Sequence, residues 1–252
     1  MRPYLIKRTL IILKVLKLYE NIGLADLIIA LFKKDKMKEL LSIYRRLGIK
    51  EAKKYFVVDP NSEEGPFVET FILKMYEFCD FSGKVVIDIG AQTGDSTLYF
   101  SLKGAKMIYA FEPLEDNYKI LVKNVTHNKI NCKCFNIGLG NTTKDISVFV
   151  SGNMAMAASI DDYSEYESIK MNKLDNLNLN ADIIKIDVEG FETEVLRGGL
   201  KTINNIKDII IETHNKTLSA EVAELLSKMG FHLSKTAKNY LSKNVRVEYW
   251  NK

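Results

Sequence analysis

The sequence predicts an α/β protein built on a doubly wound, mostly parallel sheet, with a helical segment before it. Beyond residue 83, short β-branched runs alternate with helical patterns, and such alternation is typical of a parallel sheet with crossover helices. The first run ends in a glycine-containing turn. The 252 residues are 46% hydrophobic and include only 4 prolines, so the chain can bury a large core. We therefore divide it into a helical segment, residues 1–80, and an α/β domain, residues 81–252.

The N-terminal segment opens with a helix over residues 4–18 that is apolar on most sides. Lys7, Lys14 and Lys17 fall on one narrow stripe of this helix. Because charged residues interrupt the apolar run, we expect neither a transmembrane span nor a signal peptide, and we place the chain in the cytoplasm. Further helical patterns cover residues 24–33, 36–47 and 66–79.

In the α/β domain, β-branched and aromatic runs predict strands, and amphipathic stretches between them predict helices. The last two strands have no helix between them, so we expect them to be antiparallel to each other. The predicted strands are 84–89, 106–112, 131–137, 182–187, 208–213, 231–234 and 245–250, the helices are 93–102, 116–126, 191–203 and 218–229, and a hairpin lies near 145–150.

The positive charge is concentrated at the N-terminus. Residues 1–54 carry 14 lysines and arginines against 5 acids, whereas residues 55–252 carry 22 against 27. Such a basic segment suggests a contact with phosphates, either lipid headgroups or nucleic acid, although a solvated helix face is the simpler interpretation. We expect the first helix to pack its apolar face on the domain, with peripheral membrane contact as the alternative.

The turn after the first strand predicts the type of ligand. It reads Asp-Ile-Gly-Ala-Gln-Thr-Gly over residues 88–94. A dinucleotide fingerprint starting at Gly90 requires glycines at positions 92 and 95, which are Gln92 and Asp95. Residues 88–100 also contain no lysine or arginine to neutralise a pyrophosphate. A cationic ligand without phosphate is favoured, and S-adenosylmethionine fits that description.

The cofactor contacts are expected where the first strands end, because ligands of open parallel sheets bind there. Asp88 ends the first strand and can hold a cationic group, although it could instead cap a turn. Glu112 ends the second strand, 24 residues later, and can accept both ribose hydroxyls, although it could be an ordinary strand-end acid. Asn136 ends the third strand and faces the adenine or closes a turn. The predicted cofactor-binding residues are Asp88, Gly90, Gln92, Thr93, Gly94, Glu112 and Asn136.

These segments resemble the FkbM-type family of S-adenosylmethionine-dependent methyltransferases. The resemblance spans residues 83–214 and rests on VVIDIGAQTGDSTLYF, YAFEPLEDNYKILVKN, IIKIDVEGFETEVLRGG and IIIETH. It implies the class I methyltransferase fold, which is a seven-stranded sheet with a reversed last strand, and usually O-methylation of sugars or of glycosylated and polyketide-like products. Two positions depart from the family pattern, since Gln92 replaces Asn and Lys173 replaces Thr before Leu-Asp.

Methyl transfer to a hydroxyl needs a group that orients the acceptor and removes its proton. Asp187 ends the fourth parallel strand and Glu189 follows it, so either could be this base, although Glu189 could instead cap the next helix. His214 follows the next strand and is the third candidate, because imidazole titrates near neutral pH. With Glu212 these residues could hold a divalent cation, but the spacing does not demand one, and we predict no metal. Lys185 either pairs with an acid of the site or extends to an edge.

The sequence thus favours a metal-independent O-methyltransferase acting on a hydroxyl of a carbohydrate, glycolipid or glycosylated metabolite. A nucleic-acid methyltransferase would use the basic N-terminus, but an amine-methylating site usually carries an Asn/Asp-Pro-Pro-aromatic run where this chain has Asp-Val-Glu-Gly. A non-catalytic module that keeps the fold is the other alternative. It would be expected to have lost the acids of the pocket, which are all present.

Overall fold

Seven strands form the central sheet of the computed structural model, which describes residues 70–71, 75–151, 154–156, 166–238 and 245–252. These strands are β1 (Val85–Ile89), β2 (Met107–Phe111), β3 (Cys132–Phe135), β9 (Ile183–Ile186), β10 (Asp208–Thr213), β11 (His232–Lys238) and β12 (Arg246–Asn251). Five further strands lie between β3 and β9 in the chain and are β4 (Gly138–Leu139), β5 (Ile146–Ser151), β6 (Met154–Met156), β7 (Tyr166–Ile169) and β8 (Met171–Asn172).

The order of strands across the sheet is β11-β12-β10-β9-β1-β2-β3. Strand β1 pairs in parallel with β2 and β9, and β10 continues the parallel set beside β9. The last strand, β12, is antiparallel to both β10 and β11. The predicted doubly wound, seven-stranded sheet with a reversed last strand is therefore confirmed. This order places the carboxyl ends of β10, β9, β1 and β2 side by side at one edge.

Five α-helices are described: α1 (Asp95–Leu102), α2 (Glu115–His127), α3 (Glu192–Gly198), α4 (Leu200–Asn204) and α5 (Lys216–Lys228). The single helix predicted over residues 191–203 is wrong, because α3 ends before Gly199 and α4 begins after it. Gly198 lies against the carbonyl of Gly140, where an added Cβ would be 1.9 Å from that oxygen. The Asp175 carboxylate accepts hydrogen bonds from the backbone N–H groups of Lys201 and Thr202, which caps the second helix separately.

The stretch between β3 and β9 contains more β-structure than predicted. Strand β5 pairs antiparallel with both β6 and β7, and β4 pairs in parallel with β8. The predicted hairpin near 145–150 is thus confirmed. The two short strands β4 and β8 were not predicted because two-residue strands carry too little sequence pattern to detect.

The core lies on both faces of the sheet because alternate strand residues point to opposite sides. Ile87 and Ile89 pack on one face, and Val86 packs on the other. Met75, Tyr76 and Cys79 join the second face, so these residues pack with the α/β domain.

Residues 1–69 and 72–74 lie outside the described part of the chain. The predicted helices at 4–18, 24–33 and 36–47, the lysine stripe and half of 66–79 stay predictions. Residues 75–79, at the end of the last predicted helix, form turns and not a helix. Within the described residues, no helix has the length and apolar character needed to cross a membrane.

Candidate functional site

The turn after β1, residues 90–94, brings the backbone to the carboxyl edge of the sheet. We call it the glycine turn. Gly90, Gln92 and Gly94 all have positive φ angles, of 77°, 46° and 98°. The N–H groups of Gly90 and Ala91 both donate to the carbonyl of Phe111, at 3.0 Å each, and so fix the turn to the end of β2.

Gly90 is required by its close approach to β9. A Cβ at this position would lie 1.7 Å from the carbonyl oxygen of Asp187, so a side chain could not be accommodated without moving backbone. Its own carbonyl accepts a hydrogen bond of 2.7 Å from the ammonium of Lys185. The glycine turn and the end of β9 are therefore one packed unit.

Asp88 is fully buried beneath the glycine turn. Its Oδ2 accepts hydrogen bonds from the hydroxyls of Ser96 and Thr97, at 2.8 and 2.6 Å, and its Oδ1 lies 3.5 Å from the ammonium of Lys185. With an exposed fraction of 0%, the carboxylate holds the start of α1 under the turn. The structure thus shows Asp88 in a positioning arrangement, and the direct contact with a cofactor stays a prediction.

Lys185 is buried in the middle of β9. Burial alone would lower the pKa of this ammonium, but the carboxylates of Asp187 and Asp88 raise the pKa above its ordinary value. Asp187 Oδ2 lies 3.5 Å from its nitrogen. Of the two alternatives that the sequence left open, the structure shows pairing with acids of the site, and this cation links the glycine turn to Asp187.

Glu112 follows β2 and turns back toward the glycine turn. Its carboxylate accepts hydrogen bonds from the N–H groups of Gln92 and Leu114, at 2.9 and 3.0 Å, and from the amide of Asn117 at 3.3 Å. Burial raises the pKa of Glu112 to about 7, even though these three donors act in the opposite direction. Glu112 is buried, with 5% of its surface exposed.

Asn136 and Thr93 stabilise the turn after β2 and the glycine turn, respectively. The amide nitrogen of Asn136 donates to the carbonyls of Glu112 and Pro113, at 3.1 and 3.0 Å, which is the turn-closing alternative. The carbonyl of Thr93 accepts a 2.7 Å hydrogen bond from Asn124 on α2. Both residues remain half-buried at the carboxyl edge.

Four side chains meet at the ends of β9 and β10: Asp187, Glu189, Glu212 and His214. We call them the acidic rim. The Nε2 atom of His214 lies 3.1 Å from Glu189 Oε2, 3.8 Å from Asp187 Oδ1 and 3.9 Å from Glu212 Oε1. The sequence placed these residues at neighbouring strand ends, and the structure brings them together.

The protonation of His214 differs from the expectation. Burial alone would lower its pKa, but hydrogen bonds to Glu189 and Glu192 and the charge of Asp187 raise the pKa of the imidazole to about 11. A protonated imidazole has no lone pair to accept a proton, so this arrangement counts against His214 as the base, and its catalytic role stays a prediction. His214 acts here as a donor between carboxylates.

Glu192, which the sequence analysis did not select, supports this imidazole. It lies at the start of α3 with an exposed fraction of 0%, and its Oε1 is 3.1 Å from His214 Nδ1. The same oxygen accepts the N–H of Gly190 at 3.1 Å. The only sequence signal was an acid in the first turn of a helix, which occurs equally at solvent-exposed helix starts.

The alternative interpretation, in which Glu189 caps the next helix, does not hold. The helix begins at Glu192, Phe191 precedes it as the capping residue, and the Glu189 carboxylate contacts His214. Its backbone has φ of 50°, in the left-handed region that non-glycine residues seldom adopt. This conformation turns the Glu189 side chain toward His214.

Residues 88–233, more than half of the chain, match the family model described as the methyltransferase FkbM domain. A curated relative, the hexuronic acid methyltransferase AglP of Haloferax volcanii, is 26% identical over 149 residues. The match covers 57% of this chain and 62% of AglP, so it spans less than two thirds of the relative.

Solved structures share the fold at low sequence identity. A candidate RNA methyltransferase from Pyrococcus horikoshii aligns with a TM-score of 0.51 and 19% identity, over 84% of this chain and 98% of that one. A protein of the NADB-Rossmann superfamily from Streptococcus agalactiae aligns with a TM-score of 0.50 and 12% identity, over 71% and 66% of the two chains. Both likenesses concern the architecture of the sheet and its helices.

Proposed function

The chain belongs to the family of FkbM-domain methyltransferases, and from this premise we propose that it methylates a hydroxyl oxygen of a carbohydrate, glycolipid or glycosylated metabolite with S-adenosylmethionine as donor. The observation that carries this proposal is the adjacency of the glycine turn and the acidic rim, which Asp187 joins. Its backbone carbonyl packs on Gly90, and its side chain faces His214. A donor bound at the turn and an acceptor bound at the rim would therefore meet at Asp187.

The residues around the glycine turn suit S-adenosylmethionine. No lysine or arginine occurs in residues 88–100, and the Lys185 ammonium that reaches the turn from β9 is buried and paired with Asp88 and Asp187, so a cationic ligand is favoured over a pyrophosphate. Glu112 lies at the end of β2 with its carboxylate against the backbone of Gln92, beside the turn. A carboxylate at this point can accept ribose hydroxyls, as acidic residues do at the same point of nucleotide-binding sheets.

When bound, S-adenosylmethionine supplies a sulfonium-bound methyl group, whose transfer forms a carbon–oxygen bond, breaks the carbon–sulfur bond and releases the hydroxyl proton. Asp187 or Glu189 accepts that proton, because both carboxylates are partly exposed at the rim. His214 lies 3.1 Å from Glu189 Oε2 and 3.8 Å from Asp187 Oδ1 through its Nε2 atom, so it orients both carboxylates. The Lys185 ammonium nitrogen lies 3.5 Å from Asp187 Oδ2 and fixes the position of this carboxylate.

The acceptor class follows from the charge of the rim and from the relative. A hexuronic acid, named for AglP, offers both hydroxyl and carboxylate oxygens. Carboxylates accept hydrogen bonds from neutral hydroxyls and repel an anionic carboxylate, so the acidic rim favours the hydroxyl as the methylated oxygen. A sugar with several hydroxyls can also make more than one such hydrogen bond.

The proposal is tested by incubating the purified chain with methyl-labelled S-adenosylmethionine and three acceptor sets: neutral oligosaccharides, uronic-acid glycans and transfer RNA. We expect label in a glycan fraction that survives mild alkali, because a methyl ether resists alkali and a methyl ester does not. Label found in RNA, or released from the glycan by alkali, would contradict the proposed acceptor. Failure to bind the donor in calorimetry would contradict the proposed cofactor.

A further inference from the structure

We propose that the acidic rim binds a divalent cation of the Mn²⁺ type through Asp187, Glu212 and His214. One carboxylate oxygen from each acid and one ring nitrogen lie within 4.8 Å of one another. This proposal departs from our sequence prediction of no metal, which the structure does not test. The role of the ion rests on the proposed function, whereas its binding does not.

The distances suit coordination by one ion. Ligand atoms about 2.1 Å from an ion can be at most about 4.2 Å apart. His214 Nε2 lies 3.8 Å from Asp187 Oδ1 and 3.9 Å from Glu212 Oε1, inside that limit. The three ligands come from the ends of two neighbouring strands, which pair in parallel and hold the two ends side by side. Small side-chain rotations would bring all three atoms to a common centre.

The orientation of the imidazole is independent support. Metal-binding histidines almost always hydrogen-bond through their other ring nitrogen to a carboxylate or carbonyl, which fixes the ring. Here Nδ1 faces the fully buried Glu192, while Nε2 faces the three carboxylates. The second carboxylate oxygen of Glu192 is buried and has no hydrogen-bond partner among the described residues. Glu192 therefore fixes the ring with Nε2 directed at the carboxylates of the rim.

The local charge also favours a cation. In the described part of the chain, Lys185 and His214 lie within ion-pair distance of Asp88, Asp187, Glu189 and Glu192, besides Glu212. Negative charge therefore exceeds positive charge at this rim. A ligand set of two carboxylates and one imidazole combines the donors that suit Mn²⁺ with the nitrogen that suits the later transition metals, so Mn²⁺ is the informative probe.

The ion would not compete with the methyl donor for space. The expected donor contacts lie over β1 and β2, at the glycine turn and Glu112, whereas the metal ligands come from the ends of β9 and β10. Coordination of His214 Nε2 would release the proton of that nitrogen to solvent and break its hydrogen bond to Glu189. The Glu189 carboxylate would then be left to take the hydroxyl proton. An acceptor hydroxyl bound to the ion would lose its proton more readily.

The test measures Mn²⁺ binding to the chelator-treated full-length chain, with neither methyl donor nor acceptor present, by electron paramagnetic resonance of the free ion. We expect one saturable site per chain. His214→Gln and Glu212→Gln should each weaken it by about tenfold or more. The control Glu194→Gln removes a half-buried acid of α3 that pairs with Arg197, and it should leave binding unchanged.

If His214→Gln fails to fold, Glu212→Gln still tests the proposal, because glutamine has the same shape as glutamate. The absence of a saturable site, or equal affinity in Glu212→Gln and Glu194→Gln, would overturn the proposal. Methyl transfer that persists in metal-free protein would overturn the role of the ion and leave the proposed function standing. Specific Mn²⁺ binding without any methyl transfer would leave the metal site standing and count against the proposed function.

Discussion

Glu112 is the residue whose ionisation is best placed to report on cofactor binding. Its pKa of about 7 means that it is only partly ionised near neutral pH. Ribose hydroxyls donate to the ionised form, so donor affinity should rise by up to about tenfold between pH 6 and pH 8. In Glu112→Gln this rise should vanish, and affinity should fall by about 1.5 to 3 kcal/mol for the loss of a charged acceptor. Calorimetry at both pH values measures both effects.

The exposed neighbour Glu115 gives the control, because Glu115→Gln also removes one negative charge from the same stretch.

The stability of the fold should change with pH in the direction opposite to donor affinity. The folded pKa of Glu112 is raised, so its stabilising contribution is complete below about pH 4.5 and is lost as pH rises to about 7. The free energy of unfolding of wild type should therefore fall relative to Glu112→Gln by roughly 3 kcal/mol over that range. If the free energy of unfolding changed with pH by the same amount in wild type and in Glu112→Gln, this account would be contradicted.

Sequence reasoning identified the residue types of the site better than their roles. Asp187 and Glu189 were predictable because acids at strand ends face the ligand edge. The imidazolium of His214 was not, because its pKa depends on Glu192, 22 residues away in the chain and packed beneath it. Asp88 was expected to contact a ligand, but its hydroxyl partners on α1 come close only when the glycine turn folds.

The glycine turn is the element on which both halves of the site depend. Gly90→Ala should strain the left-handed backbone and displace the Asp187 carbonyl, which lies 1.7 Å from the new Cβ. Gly83 is a matched control, since it also has positive φ but nothing within 4 Å of an added Cβ. We expect Gly83→Ala to cost about 1 to 2 kcal/mol of stability and Gly90→Ala clearly more.

Urea unfolding and donor calorimetry on the two variants separate strain from function. Gly90→Ala should also weaken donor binding and methyl transfer, whereas Gly83→Ala should change neither. If the two substitutions had equal effects on stability and on donor binding, the contact between Gly90 and Asp187 would not be needed for function.

The secondary structure elements were predictable where their pattern was long and periodic. Strands β1 and β10 and helix α2 lie within one or two residues of their predicted bounds, because β-branched runs and an amphipathic stretch specify them locally. The break between α3 and α4 was not predictable, since it depends on Asp175 and Gly140 reaching the helix from distant parts of the chain.

For the whole molecule, the alternation of strands and helices was enough to predict the doubly wound sheet, and the absence of a helix between the last two strands predicted that they are antiparallel to each other. The reversed last strand of a seven-stranded sheet was implied by the family resemblance. The resemblance to the FkbM family is confirmed by the family match over residues 88–233. The identity of the acceptor is not contained in these features, because a fold shared by many methyltransferases does not fix the substrate.

The basic N-terminal segment remains a prediction that concerns the whole chain. We expect its first helix to pack on protein, so the chain should stay in the supernatant with anionic vesicles at both low and high salt. The triple variant Lys7→Gln, Lys14→Gln, Lys17→Gln should behave in the same way. Sedimentation with vesicles at low salt, lost in the variant and at high salt, would instead establish peripheral lipid contact, because salt screens headgroup attraction within about 8 Å.

The central claim is that the site joined by Asp187 performs methyl transfer, and Asp187→Asn tests it most directly. The substitution keeps the shape of the side chain but removes the carboxylate that faces the rim. Donor affinity by calorimetry should stay within about threefold of wild type, while single-turnover methyl transfer should fall by about 10² or more. Glu194→Gln should leave both unchanged. Normal turnover in a folded Asp187→Asn protein would contradict the account.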